Sequence, residues 1–210
     1  DVVTSEDGAA WLTFLRSLVA RGLRGVKLTI SDAHPGLKAA IAAALPGSAW
    51  QRCRTHFAQN LLTTVPKSAH LAVSSLFRSI FAQLDVESVR AQFDSVLKTL
   101  EERFPKAGAR LADARDELLA FTGFPKEHWR QVWSNNPQER LNKEIRRRTD
   151  VVAVFPNRDA IVRLVGALLA EQHDEWAIGR RYFSLESLAA VLNPARATSD
   201  ADQPALLTAA

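Results

Sequence analysis

Apolar positions recur at helical spacing over most of this chain, and the exceptions lie near its start. In "AAWLTFLRSLVAR", residues 9–21, Trp11, Leu12, Leu15, Leu18 and Val19 follow a helical repeat. Glu6 and Asp7 stand just ahead, where negative groups suit a helix N-terminus. Gly22 and Gly25 then punctuate, and "VKLTIS" is short and β-branched, the pattern of a buried strand that ends at Asp32. "DAHPG" reads as a turn, and "LKAAIAAALPG" as a helix closed by Pro46 and Gly47. "AWQRC" reads as a second short strand. Strand, helix, strand in this order suits a parallel pair with a helical crossover.

From His56 to about Arg130 only helical periodicity is present. Helices are expected over 56–64, 68–83, 86–103, 106–121 and 126–133, with Pro66, Pro105 and Pro125 as breakers. Beyond Pro137 the pattern predicts a helix over 137–149 and another from Asn157, a good N-cap, to about 177. Between them "VVAVF" suits either a short strand or an extended connection. The tail from Pro194 is small and polar and is expected to be disordered. The chain therefore divides into 1–55, 56–132, 133–193 and a tail, 194–210. There is no internal repeat.

Composition narrows the class. The 210 residues are 47% hydrophobic and 24% charged, ordinary for a globular protein. No run approaches the roughly 18 apolar residues of a membrane span, since "AIVRLVGALLAEQ" is short and broken by Arg163. A membrane partner is therefore not expected. No signal-peptide pattern opens the chain, and the one cysteine, Cys53, excludes an internal disulfide, so a cytoplasmic setting is expected. With no methionine, the chain is expected to be a piece of a longer protein. Net charge is +4 and the pI about 9.6, a balance compatible with nucleic acid. Arg130, Arg140, Lys143, Arg146, Arg147, Arg148 and Arg158 crowd one region.

Three groups of residues carry candidate chemistry. Asp32 ends a strand, where open α/β sheets place their ligands, but an Asp before Pro35-Gly36 also suits a turn or helix cap. In "WSNNPQERLNKEIRRRTDVVAVFPN", Glu139, Asn142 and Arg146 share one helical face, while Leu141 and Ile145 mark another. A carboxylate, an amide and a guanidinium on one stripe suit a metal-and-phosphate site. Ion pairs at i,i+4, Glu139–Lys143 and Glu144–Arg148, are the plainer account and explain part of the charge. Cys53 and His56 form C-x2-H, half of a zinc set or a buried structural pair. Trp129 and Trp133, four apart, suit core packing, with base stacking as the alternative.

Taken together, "RGVKLTISDAHPGLKAAI", "WQRCRTHFAQNLL", the glutamate block and "RLVGALLAEQHDEW" resemble, in order, the Mutator-type transposases of bacterial insertion sequences. The resemblance runs from about residue 4 to about 190. It implies an α/β, RNase H-like fold with an Asp–Asp–Glu triad and an all-helical insertion before the Glu. It implies Asp32 as second aspartate and Glu139 as glutamate, both metal ligands, with Glu144 as the fallback. Cys53 and His56 become the C-x2-H element at the entry to the insertion. Arg130, Arg140, Asn142, Lys143, Arg146, Arg147 and Arg148 become DNA-binding residues.

The family's first aspartate lies on the first strand, well ahead of the second. Here only Asp1 and Asp7 precede Asp32, both leading into a helix, and neither is assigned. The expected fold is thus a partial RNase H-like sheet lacking its N-terminal strands, mostly helical overall. The implied activity is Mg²⁺- or Mn²⁺-dependent cleavage and strand transfer of DNA, by cut-and-paste or copy-out, in a bacterial, nucleoid-associated homo-oligomer. This chain alone is expected to bind the metal weakly or not at all and to be catalytically incomplete. The alternatives are a non-enzymatic helical module that binds DNA or another protein, and a decayed remnant.

Overall fold

A computed structural model of the chain describes residues 7–179 and 182–192. Helix α1, Gly8–Ala20, starts where the Asp7 side chain accepts the Ala10 N–H at 2.8 Å. Strand β1, Leu28–Ser31, helix α2, Pro35–Ala44, and strand β2, Ala49–Arg52, form one crossover unit. The strands run parallel, from Leu28 opposite Ala49 to Ser31 opposite Arg52. α1 crosses α2 so closely that a Cβ on Gly36 would stand 2.9 Å from the Gly8 Cα. Leu15, Ala40, Ile41 and Leu45 form a small core there, flanked by Trp11, Leu18 and Trp50.

The larger core belongs to the helices that follow: α3, Arg54–Leu62; α4, His70–Ile80; α5, Val86–Arg103; α6, Pro105–Asp113; α7, Arg115–Leu119; and α8, Trp129–Val132. Short 3₁₀ turns at Lys67–Ala69, Ala120–Gly123 and Lys126–His128 join them. α5 shows why they pack. Val89, Phe93, Val96 and Leu100 recur every three or four residues, and all are buried. Phe57, Phe77, Phe81, Phe121, Trp129 and Trp133 form a chain of ring contacts between 5.1 and 5.8 Å through this core. Both tryptophans therefore pack inside.

Three long elements close the described chain: α9, Asn136–Val152; α10, Arg158–Ile178; and α11, Leu185–Leu192. The protein is thus mostly helical around a two-stranded parallel sheet.

Four local expectations change. The helix expected over 106–121 breaks at Ala114, although Leu111, Ala114 and Leu118 keep helical spacing through the break and are all fully buried. Periodicity cannot reveal such a break, because no Gly or Pro marks it. The start of 126–133 is a 3₁₀ turn. Val151 and Val152 extend α9, and Ala153 stops it at φ 60°, so "VVAVF" is no strand. α11 was not foreseen; Ser184 caps it by accepting the Ser187 N–H at 3.1 Å. The tail over 194–210 lies outside the described residues.

Candidate active site and a basic groove

The C-terminal ends of the two strands set the site. Parallel pairing brings the Cys53 N–H to the Ser31 carbonyl at 2.7 Å. Asp32 follows at once on the β1 side. One of its oxygens accepts the His34 N–H at 3.3 Å, a weak Asx-type turn. His34 itself caps α2, its Nδ1 accepting the Leu37 N–H at 3.3 Å. Asp32 therefore starts the turn without capping the helix, and its carboxylate is only lightly committed.

On the β2 side the chain enters α3, and the beginning of α9 docks against it. The Cys53 thiol, fully buried, donates to Asn135 Oδ1 at 2.8 Å, and Thr55 donates to Asn136 Oδ1 at 2.9 Å. The Arg54 N–H donates to the Trp133 carbonyl at 3.0 Å. The Arg54 guanidinium lies over the Trp133 ring at 4.1 Å and the Phe81 ring at 5.1 Å. Burial against those rings lowers its pKa.

Asn135 occupies the N-cap position of α9 but makes no capping bond with its side chain. Its oxygen is taken by Cys53, and its nitrogen donates to Glu139 Oε1 at 3.3 Å. His56 Nε2 stands 3.8 Å from the same oxygen, while its Nδ1 is buried without a partner. A continuous path thus runs from Ser31, the neighbour of Asp32, through Cys53 and Asn135 to Glu139. Asp32 directly follows β1, and Glu139 is joined through Asn135 to Cys53, which directly follows β2.

Helices α3–α8, the segment expected from the sequence to be an insertion, hold this end of the sheet in place. Gln51 on β2 is fully buried, donates to the Leu118 carbonyl at 3.0 Å and accepts the Phe121 N–H at 2.7 Å. Glu117 of α7 pairs with Lys38 of α2 and, at 3.4 Å, with Arg52 of β2.

Along α9 a groove of about 680 Å³ opens. Glu139, Asn142 and Arg146 line it, as their shared helical face requires, with Arg140 and Lys143 beside them. Arg130, Ser134, Asn136, Pro137 and Tyr182 complete its lining. Arg130, Arg140, Lys143 and Arg146 form no ion pair among the described residues. Arg147 and Arg148 lie outside the groove. Both close on Glu144, with bonds of 2.7 to 3.0 Å, and hold its pKa down at about 2. Glu144 is thereby engaged by two cations, unlike Glu139. Among the described residues no three of His, Cys, Asp and Glu gather in a metal-holding arrangement.

Sequence reasoning missed Asn135, Gln51 and Tyr182. Asn135 carried a signal, an N-cap amide two residues before Pro137 and four before Glu139. Gln51 carried none, because nothing local distinguishes a buried glutamine.

A strand-end aspartate, the C-x2-H element and a glutamate joined to it through Asn135 stand in the chain order expected of a Mutator-type transposase. Residues 1–179 match the family described as "Transposase, Mutator family", and the chain belongs to it. It is 59% identical over 205 residues to the transposase for insertion sequence element IS1081 of Mycobacterium tuberculosis, covering 97% of this chain and 48% of that protein. The transposase for IS406 of Burkholderia multivorans is 42% identical over 88% of this chain and 48% of its own length. The transposase for IS256 in transposon Tn4001 of Staphylococcus aureus is 35% identical over 87% of this chain and 47% of its own. The chain thus spans about half the length of these curated relatives. No helix among the described residues is long and apolar enough to cross a membrane.

Proposed function

We propose that this chain supplies the second and third carboxylates of a DDE-type DNA transposase, Asp32 and Glu139, on a partial RNase H-like core. The observation that supports this reading is the hydrogen-bonded path Ser31–Cys53–Asn135–Glu139, which ties Glu139 to the strand ends that Asp32 follows. Two carboxylates on separate elements are hard oxygen donors of the kind that suit Mg²⁺ or Mn²⁺. They are an incomplete set, in keeping with a chain half the length of its relatives. When bound, such ions activate the attacking oxygen and stabilise the leaving one.

The chain's own residues position the DNA. Arg130, Arg140, Lys143 and Arg146 neutralise backbone phosphates along α9, which gives salt-sensitive, largely sequence-independent binding. Asn135 and His56 fix the Glu139 carboxylate toward the sheet end. The reaction is hydrolysis of a DNA strand, after which the freed 3′-hydroxyl attacks a target strand. In the longer transposase carrying this chain, Glu139→Gln or Asp32→Asn reduces strand transfer to background while DNA binding is kept. Strand transfer by the Glu139→Gln protein, or turnover by the 210-residue chain alone, would refute the assignment.

A further inference from the structure

Tyr182 is the chain's single tyrosine, and no local pattern points to it. It nevertheless lines the same groove as the basic residues of α9. Phe183 brings it there. That ring lies 4.4 Å from the His128 ring, which is buried, and packs against the main core. Tyr182 meets Phe183 edge to face, at 5.2 Å and 85°, and is itself 54% exposed. A large ring is thus anchored through its neighbour and left open toward the groove. The other lining groups are four cations, Glu139, Pro137 and the short polar side chains of Ser134, Asn136 and Asn142, so Tyr182 is the aromatic group among them.

From this arrangement we infer that Tyr182 stacks on an unpaired nucleobase, and that the groove takes a DNA end with a frayed or single-stranded nucleotide in preference to intact duplex. The inference rests on the reading of the groove as a DNA site and extends it to the form of the DNA. Its volume falls within the range of about 300–1,000 Å³ that small-molecule-sized ligands occupy, enough for one nucleotide. Lys143 and Arg146 hold the flanking phosphates, and the ring takes the base. In a closed duplex both faces of every internal base are already stacked, so an aromatic ring finds a partner only where the strand is open. Stacking needs no base-edge hydrogen bond and works for any base.

The test compares the 210-residue chain on a blunt duplex and on the same duplex with a short 3′ overhang, without divalent metal. The first unpaired position carries 2-aminopurine, whose emission falls when it stacks. Wild type binds the overhang more tightly and quenches the probe. Tyr182→Ala loses that preference by about tenfold and loses the quenching. Tyr182→Phe keeps both. If Tyr182→Ala keeps the preference and the quenching, the inference is wrong. If Tyr182→Phe fails as badly as Tyr182→Ala, the hydroxyl and not the ring is the contact, and stacking is again excluded. If Arg140→Ala with Arg146→Ala leaves blunt-duplex binding unchanged, the groove is not a DNA site, and the inference falls with the broader reading. That last outcome is separable from the first two because it appears on DNA that has no unpaired base.

Discussion

The insertion and the α9–α10 pair are both made of helices, yet they are held in different ways. α5 alone buries four apolar side chains, and Phe57, Phe93 and Phe121 are wholly enclosed. α9 buries no residue completely, and α10 buries only Leu168. Val162, Leu169 and Trp176 of α10 remain exposed. The insertion is held by area removed from water, which is forgiving of direction. The start of α9 is held by directional bonds to Cys53, Thr55 and Arg54. The glutamate therefore sits at the anchored end of a sparsely packed helix. Its position depends on a few polar contacts made to a rigid neighbour.

Truncation should expose that contrast most strongly. Phe121→Ala removes a ring that touches Phe81, Trp129 and Trp133, and is expected to cost about 3–5 kcal/mol of global stability. Leu168→Ala should cost about 2 kcal/mol, the low end for leucine, because little surrounds it. It should appear as faster amide exchange confined to α9 and α10. Denaturant titration with residue-resolved exchange checks both. Equal losses in the global transition would mean that the two regions unfold as one unit.

Gln51→Leu probes the seam between sheet and insertion. It leaves the buried Phe121 N–H and Leu118 carbonyl without their partner, and should cost roughly 2–3 kcal/mol. The same change loosens the strand that leads into Arg52 and Cys53, so Cys53 should become reactive to alkylating reagents at a lower denaturant concentration. Unchanged stability would show that the aromatic core alone fixes β2 against α7.

Much of this was legible in the chain. The crossover unit could be read because β-branched runs and Gly or Pro punctuation are local signals. The insertion's helices could be read because burial on one face imposes a period. The face shared by Glu139, Asn142 and Arg146 followed from helix geometry, and the groove contains all three. What escaped depends on distant partners. Gln51 is buried only because Leu118 and Phe121 meet it, and Tyr182 reaches the groove only because Phe183 lands on His128. The break at Ala114 escaped for a different reason: the apolar spacing continues through it.

The smallest effect concerns Glu144 of α9. Glu144 titrates at about 2 because Arg147 and Arg148 hydrogen-bond its charged form, while an unpaired glutamate titrates near 4.5. Its folded pKa is depressed, so its contribution is present above about pH 4.5 and fades as pH falls toward 2. The group is exposed, so the effect is modest and shrinks with added salt. A carboxyl chemical-shift titration should place Glu144 at about 2, well below the ordinary glutamate value of 4.5. Glu144→Gln should remove the acid-dependent rise in α9 amide exchange. A Glu144 that titrates near 4.5 would mean that the two arginines are free to reach phosphate, and that the basic surface extends beyond the groove along the outer face of α9.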